Sequence, residues 1–502
     1  MKKYNFILIL FITLLFHSCY EDETTIANFS SLSEIVIQEG SINSEYNIKK
    51  NETLVISPIV SQSNDKKALK YTWEIDLVEY SHEKDFNFVG DKLGVYNCRY
   101  IVENEDGKTF FPFKLYVNSP YEEGITVLSA NTDGRPMLSF MQTPSEDNES
   151  AYFTTDELLT LNNRDIRFSS NPADLVQSGN VLFLLCQGSA GNEDDPAIYY
   201  LNEKTFVVES MFNISEYADF KPTKLLIPST WGASSIYPIL CENGKVYTFS
   251  PYEASVGPST NLAYVYSQAT HVDDGDYYYD ILLWDKDANG LALIYGGYGP
   301  FYFGSEYHLS RLNPDFTSLN YFTNIEFITM VPVRMSANEV KLNGYETIVL
   351  TKSGNMSHRV VVGTSFWGAN NDGSYKLYDN EGLVPICFNN KNLTINEKTP
   401  AIASKRFQLM LFAEGNKLKR WNYTTTQQIT AASTHVTVGS DNAIITGFEM
   451  SESQELTYVA FYEPDQPGLN GSVWVIDTDK GTVLKQYNNI CYQPVKIMYK
   501  KK

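Results

Sequence analysis

The segment Asp285-Lys286-Asp287-Ala288-Asn289-Gly290 places oxygen-bearing side chains at positions 1, 3 and 5 of a loop, with glycine at 6. That spacing matches the front of a calcium loop, with Asp285, Asp287 and Asn289 as ligands. The twelfth position is Gly296, where an EF-hand carries a bidentate Glu. The plain reading of the same residues is a hairpin with Asn-Gly at its corner. Catalytic spacings are otherwise absent. His17, His82, His271, His308, His358 and His435 form no H-E-x-x-H or other ligand pattern, and there is no G-x-S-x-G elbow or Walker loop. The sequence calls for no cofactor beyond that calcium loop.

Aromatic residues on small, polar stretches are a second chemical signal. Trp231 and Trp367 each open a Trp-Gly-Ala segment, Tyr278 follows an acidic loop, and Tyr298 and Tyr302 stand among glycines. Rigid rings on loops offer flat faces to sugars or peptide side chains at little entropic cost. The competing reading is that they fill space between sheets.

Cys19 is the third reactive feature. Lys2 and Lys3 precede an apolar run, Phe6 to Phe16, which ends in His17-Ser18-Cys19. The run is too short to cross a bilayer, which needs roughly 20 apolar residues. A small residue before a cysteine after such a run resembles a lipobox. Residues 1–18 are then a signal peptide, Cys19 carries the acyl chains, and residues 19–27 form an acidic tether. Two or three long chains hold a protein stably on a membrane, at about 0.8 kcal/mol per buried CH₂.

The elements that must position these residues are β-strands. The chain has 502 residues, with 35 Tyr and 28 Phe, side chains that suit pleated, half-buried surfaces. Its net charge of −21 without basic clusters argues against nucleic acid as a partner. Asp156 to Leu161 is expected to make one helical turn. Cys98, Cys186, Cys241, Cys387 and Cys491 sit mostly in strand-like surroundings and read as buried free thiols, with one disulfide as the alternative.

Residues 28–120 read as short strands in an immunoglobulin-like sandwich with Trp73 in its core, and Asp106-Gly107 signals a hairpin. Residues 121–502 repeat a strand-turn-strand unit. Seven such hairpins recur at roughly 54 residues, near the period of propeller blades. The expected fold is therefore all-β: the sandwich, then a β-propeller of about seven blades. A β-helix or further sandwiches are the alternatives.

The first segment resembles a PKD-type domain in Tyr71-x-Trp73, Gly94-x-Tyr96, Val102 and the Asp106-Gly107 turn, although it lacks the W-x-F-G-D-G turn. With Cys19-Tyr20-Glu21-Asp22-Glu23 and the strand Ser33-Glu34-Ile35-Val36-Ile37, the layout is similar to PKD-like lipoproteins of Bacteroidetes. The acidic run resembles their surface-export signal. The resemblance implies an outer-membrane lipoprotein facing the exterior. It further implies an accessory role beside SusC/SusD-type nutrient importers, with a glycan or peptide as ligand. Two other functions remain open: a structural component of the transporter assembly without substrate contact, and a propeller glycosidase or lyase. The enzyme reading requires two carboxylates and a basic partner converging on the propeller's central channel.

Overall fold

Strands dominate because the apolar residues alternate with a period of two between polar turns. The computed structural model describes residues 32–501, apart from 65, 143–152, 155–157, 190–193, 227–236, 252–253, 259–265, 274–278, 288–289, 297–304, 309–325, 337–338, 340–344, 365–376, 379–385 and 390. The protein is all-β in these parts. A short α-helix, Leu158–Asn162, stands where one helical turn was expected. The chain divides into two compact units at Pro120 and Tyr121.

In the first unit a five-stranded sheet runs in the order Glu45–Lys49, Gly107–Asn118, Gly94–Asn104, Lys70–Ile75, Val78–Ser81. Two two-stranded sheets, Ile35–Ile37 with Val60–Gln62 and Thr53–Ile56 with Phe86–Val89, share its core. Trp73 is the centre of that core. It is fully buried, stacks on Tyr100 at 4.1 Å, and donates its indole N–H to the Glu83 carbonyl at 3.0 Å. The expected hairpin forms, but by another device. Asn104 pairs with Gly107, so Glu105 and Asp106 make the two-residue loop. The Asn104 side-chain oxygen accepts from the Asp106 and Gly107 amides at 2.9 and 3.1 Å. Gly107 is not at positive φ. A side-chain cap takes the place of the Asp-Gly backbone preference.

The second unit is a succession of antiparallel sheets. Five are separate and four-stranded; the fifth and sixth in order are joined into one nine-stranded sheet by the parallel pairing of Val333 and Arg334 with Ala403 and Ser404, and the fifth carries Leu377–Tyr378 and Ile386–Asn389 on its third strand. Turn glycines close several of the hairpins, as at Gly244 (φ 80°) and Gly415 (φ 62°), where L side chains are strained. Each sheet begins with an inner strand. Six of these, for sheets two to seven, are Pro172–Ser178, Pro222–Leu225, Tyr266–Asp273, Glu326–Arg334, Ala401–Ser404 and Ile444–Met450. The first sheet, whose other strands are Gly124–Ala130, Pro136–Gln142 and Phe153–Thr154, takes its inner strand from the far end of the chain, Gln493–Lys500.

These inner strands meet in cyclic order. Gln493–Lys500 touches Pro172–Ser178, which touches Pro222–Leu225, and the neighbouring strand Tyr237–Cys241 reaches Tyr266–Asp273. The circuit continues through Glu326–Arg334, Ala401–Ser404 and Ile444–Met450 back to Gln493–Lys500. A ring of sheets around one axis, closed by the last strand, is propeller-like.

Burial follows from this stacking. All six residues of Val181–Cys186 are buried. Leu182, Leu184 and Cys186 join one core, while Val181, Phe183 and Leu185 join the next. Leu409 and Leu411 are likewise separated from Met410 and Phe412. A middle strand apolar on both faces serves two cores, because each sheet is covered on both sides by its neighbours.

Candidate site on the central axis

The inner strands carry β-bulges near their starts. Pro172 pairs with Cys186 and Asp174 with Leu185, leaving Ala173 as the extra residue. Pro222 pairs with Cys241 and Lys224 with Leu240, leaving Thr223. On the closing strand Pro494 pairs with Ser129 and Lys496 with Leu128, leaving Val495. Proline fits here because an edge strand at a bulge needs no ladder N–H. A bulge also re-aims the side chain that follows it. In three consecutive sheets that side chain is Lys496, Asp174 or Lys224.

These side chains converge. Asp174 Oδ1 lies 3.2 Å from Lys496 Nζ and accepts the Leu175 amide at 3.0 Å. Asp174 Oδ2 accepts the Leu225 amide, one residue beyond Lys224, at 3.0 Å. One carboxylate thus ties three inner strands together. Lys496 remains 36% exposed while Asp174 is 3% exposed. The lysine side chain is partly exposed and the carboxylate it pairs with is buried.

Charges on non-adjacent sheets also sense one another. Burial and then Lys496 push the Lys224 ammonium down to about 8, against Asp174. Asp174 in turn raises Lys496. Glu449, on the seventh inner strand, is raised by burial, opposed by Arg334 of the fifth strand and by Lys496. Its Oε1 accepts the Met450 amide at 3.1 Å. Lys496, Asp174 and Lys224 thus follow equivalent bulges of three consecutive sheets, with Asp174 and Lys496 ion-paired.

A carboxylate locked by two backbone amides and an ion-paired ammonium form a fixed polar group of the kind that recognises polar ligands.

Cys19, Trp231, Tyr278, Asn289, Tyr298, Tyr302 and Trp367 are outside the described residues. Asp285 and Asp287 flank the turn of a hairpin, with Asp285 opposite Gly290. Asp285 is buried and accepts the Asp287 amide at 2.8 Å, as a turn-capping carboxylate does. Among the described residues no three His, Cys, Asp or Glu side chains gather as a metal site. The axial residues were legible in one respect. Pro-x-Asp/Lys-Leu/Ile recurs as Pro172-Ala173-Asp174-Leu175, Pro222-Thr223-Lys224-Leu225 and Pro494-Val495-Lys496-Ile497, the first two 50 residues apart.

No family model and no curated protein matches the sequence. Among solved structures, a quinoprotein alcohol dehydrogenase-like protein from Bacteroides thetaiotaomicron VPI-5482 is similar at 13% identity and a TM-score of 0.46, over 93% of this chain and 99% of that one. Saccharomyces cerevisiae Sqt1 is similar at 9% identity and a TM-score of 0.42, over 75% and 89%. Apo AztD from Citrobacter koseri is similar at 10% identity and a TM-score of 0.39, over 87% and 100%.

Proposed function

We propose that this chain is a lipid-anchored protein of the outer-membrane surface. In this reading a seven-bladed propeller binds a glycan or peptide for a SusC/SusD-type nutrient importer, and a PKD-like sandwich docks it there. The observation that carries the binding role is the ion pair of Lys496 with Asp174, with the Leu225 amide on the same carboxylate, at equivalent bulges of consecutive inner strands. A rigid ring of sheets holds such groups in place without a prior ordering step, which favours affinity. The docking role draws support from the first unit's surface. Among the described residues fifteen large apolar side chains are exposed, and ten of them lie there, Leu32, Leu77, Val78, Val95 and Phe110 among them.

Asp174 and Glu449 beside Lys496 favour a glycosidase or lyase as the second reading. Against it, both Asp174 oxygens are taken by backbone amides, and one of them also by Lys496. That arrangement suits a positioning group better than a nucleophile or base.

The test is a tagged chain recovered from detergent-solubilised outer membrane, with Cys19→Ser alongside. A SusC/SusD-like pair should accompany the wild-type protein, and Cys19→Ser should leave the membrane fraction. Wild-type protein on the surface without such partners removes the importer role. Membrane retention of Cys19→Ser removes the anchor. Trp231→Ala and Trp367→Ala, screened against glycans and peptides, then report whether the aromatic loops contribute.

A further inference from the structure

We propose that the hairpin tip Asp76-Leu77 is a docking anchor: Leu77, with Val78 beside it, inserts into an apolar socket rimmed by Lys or Arg side chains on a partner protein. The inference rests on reading the first unit as the docking module. It assigns which residues dock and what chemistry receives them.

Four observations support it. The first is strain. Ile75 pairs with Val78, so Asp76 and Leu77 form a two-residue loop, at φ 49° and 67°. Such a loop favours glycine at its second place, because an L side chain at positive φ crowds the following carbonyl. The second is exposure. Leu77 is 82% exposed, more than any other large apolar side chain among the described residues, and Val78 is 69% exposed. Phe206 also has a positive φ, of 54°, yet it is fully buried. Core packing offsets the strain at Phe206, whereas the Leu77 side chain stands in water, where burial in a partner's socket would offset it. The third is rigidity. The Asp76 amide donates to the Asn97 carbonyl at 2.8 Å, and Asp76 Oδ1 accepts the Asn97 amide at 2.9 Å. A tip held in advance lowers the ordering cost of docking. The fourth is charge, which selects the occupant. Between residues 76 and 92 five exposed acids stand against two exposed lysines, with Asp76 at the tip and Glu79 two residues past Leu77. An apolar tip in an acidic segment is attracted to a basic socket. It is repelled by an anionic bilayer surface and by the same hairpin of a second copy.

The experiment uses the full chain in its own cells, with the photo-crosslinker p-benzoylphenylalanine in place of Leu77 or, as the control, of the exposed Leu484 in the second unit. Irradiation should give one discrete protein adduct from position 77 and none of that mass from 484. Raised salt should weaken the adduct severalfold, and mass spectrometry should find Lys or Arg near the attachment point. Leu77→Gly should melt no lower than wild type, since glycine relieves the strain, and should recover the same partner about tenfold less well. Glu79→Lys, which leaves the tip in place, should also lower recovery. Adducts to lipid or to a second copy, or no discrete adduct, overturn the inference, as does undiminished recovery by Leu77→Gly. A Leu77→Gly chain that melts lower or fails to fold shows that the leucine serves the fold itself, and overturns it too. Importer components recovered undiminished by Leu77→Gly remove the tip assignment and leave the importer reading intact. A position-77 adduct to a protein outside any importer does the reverse.

Discussion

Lys496 Nζ stands 3.2 Å from Asp174 Oδ1, joining the last strand of the chain to the inner strand of the second sheet, 322 positions earlier. Asp174 also holds the Leu225 amide of the third sheet. Ring closure and the charged axis therefore share one carboxylate.

Asp174→Ala should destabilise the second unit by about 2–4 kcal/mol, since it orphans two amides and leaves an ammonium without its anion. Lys496→Met should cost less, about 1 kcal/mol, because that side chain is partly in water and its pairing is screened. Urea unfolding of both variants checks this. A larger loss for Lys496→Met would show that Asp174 is not the hub.

Lys500 gives a pH prediction. It is fully buried, donates to the Glu122 carbonyl at 2.7 Å and lies 3.9 Å from Glu203. Burial pushes it down to about 8 from an ordinary value near 10.5. Between those values the unfolded chain holds a proton that the folded one has lost, so this group adds stability as pH rises from about 8 to about 10.5. Below about 8 the folded chain bears the full penalty of the buried charge. The melting temperature of Lys500→Met relative to wild type should therefore be more favourable at pH 7 than at pH 10. The reverse trend would contradict the burial of that ammonium.

Trp73→Ala should cost the first unit about 3–5 kcal/mol, as for other large aromatic deletions in cores. Hydrogen exchange should show lost protection in peptides from residues 32–118 and little change beyond residue 121. Protection lost equally throughout would mean that the units do not fold separately.

Cys98, Cys186, Cys241 and Cys491 are free and buried. Burial raises all four thiols, Cys98 and Cys241 to about 12. The thiolate is the reactive form, so iodoacetamide at pH 8 should spare all four in the native protein and label them in urea. Mass spectrometry of the cysteine peptides reads the outcome, and native labelling of Cys186 or Cys491 would be the most damaging result.

Much of the fold can be read from local pattern. Alternating apolar residues specify strands, Glu242-Asn243-Gly244-Lys245 and Ala413-Glu414-Gly415-Asn416 specify their turns, and the hairpin period specifies repeated sheets. These signals act between residues near one another in the chain, where propensity and turn geometry are expressed. The turn at Glu105-Asp106 shows the limit: its position was legible, yet Asn104, not glycine, shapes it.

The sequence alone determined an all-β chain of strand pairs with an acidic net charge. Only the tertiary structure decided which side chains meet. Asp174, Lys224, Arg334, Glu449 and Lys496 look like ordinary polar residues on amphipathic strands, and the loop aromatics drew attention instead. Asp174 and Lys496 meet because the last strand returns to the first sheet and because each follows a single-residue bulge of its inner strand. Both causes depend on pairings between distant segments, such as Leu128 with Lys496, which no local period records.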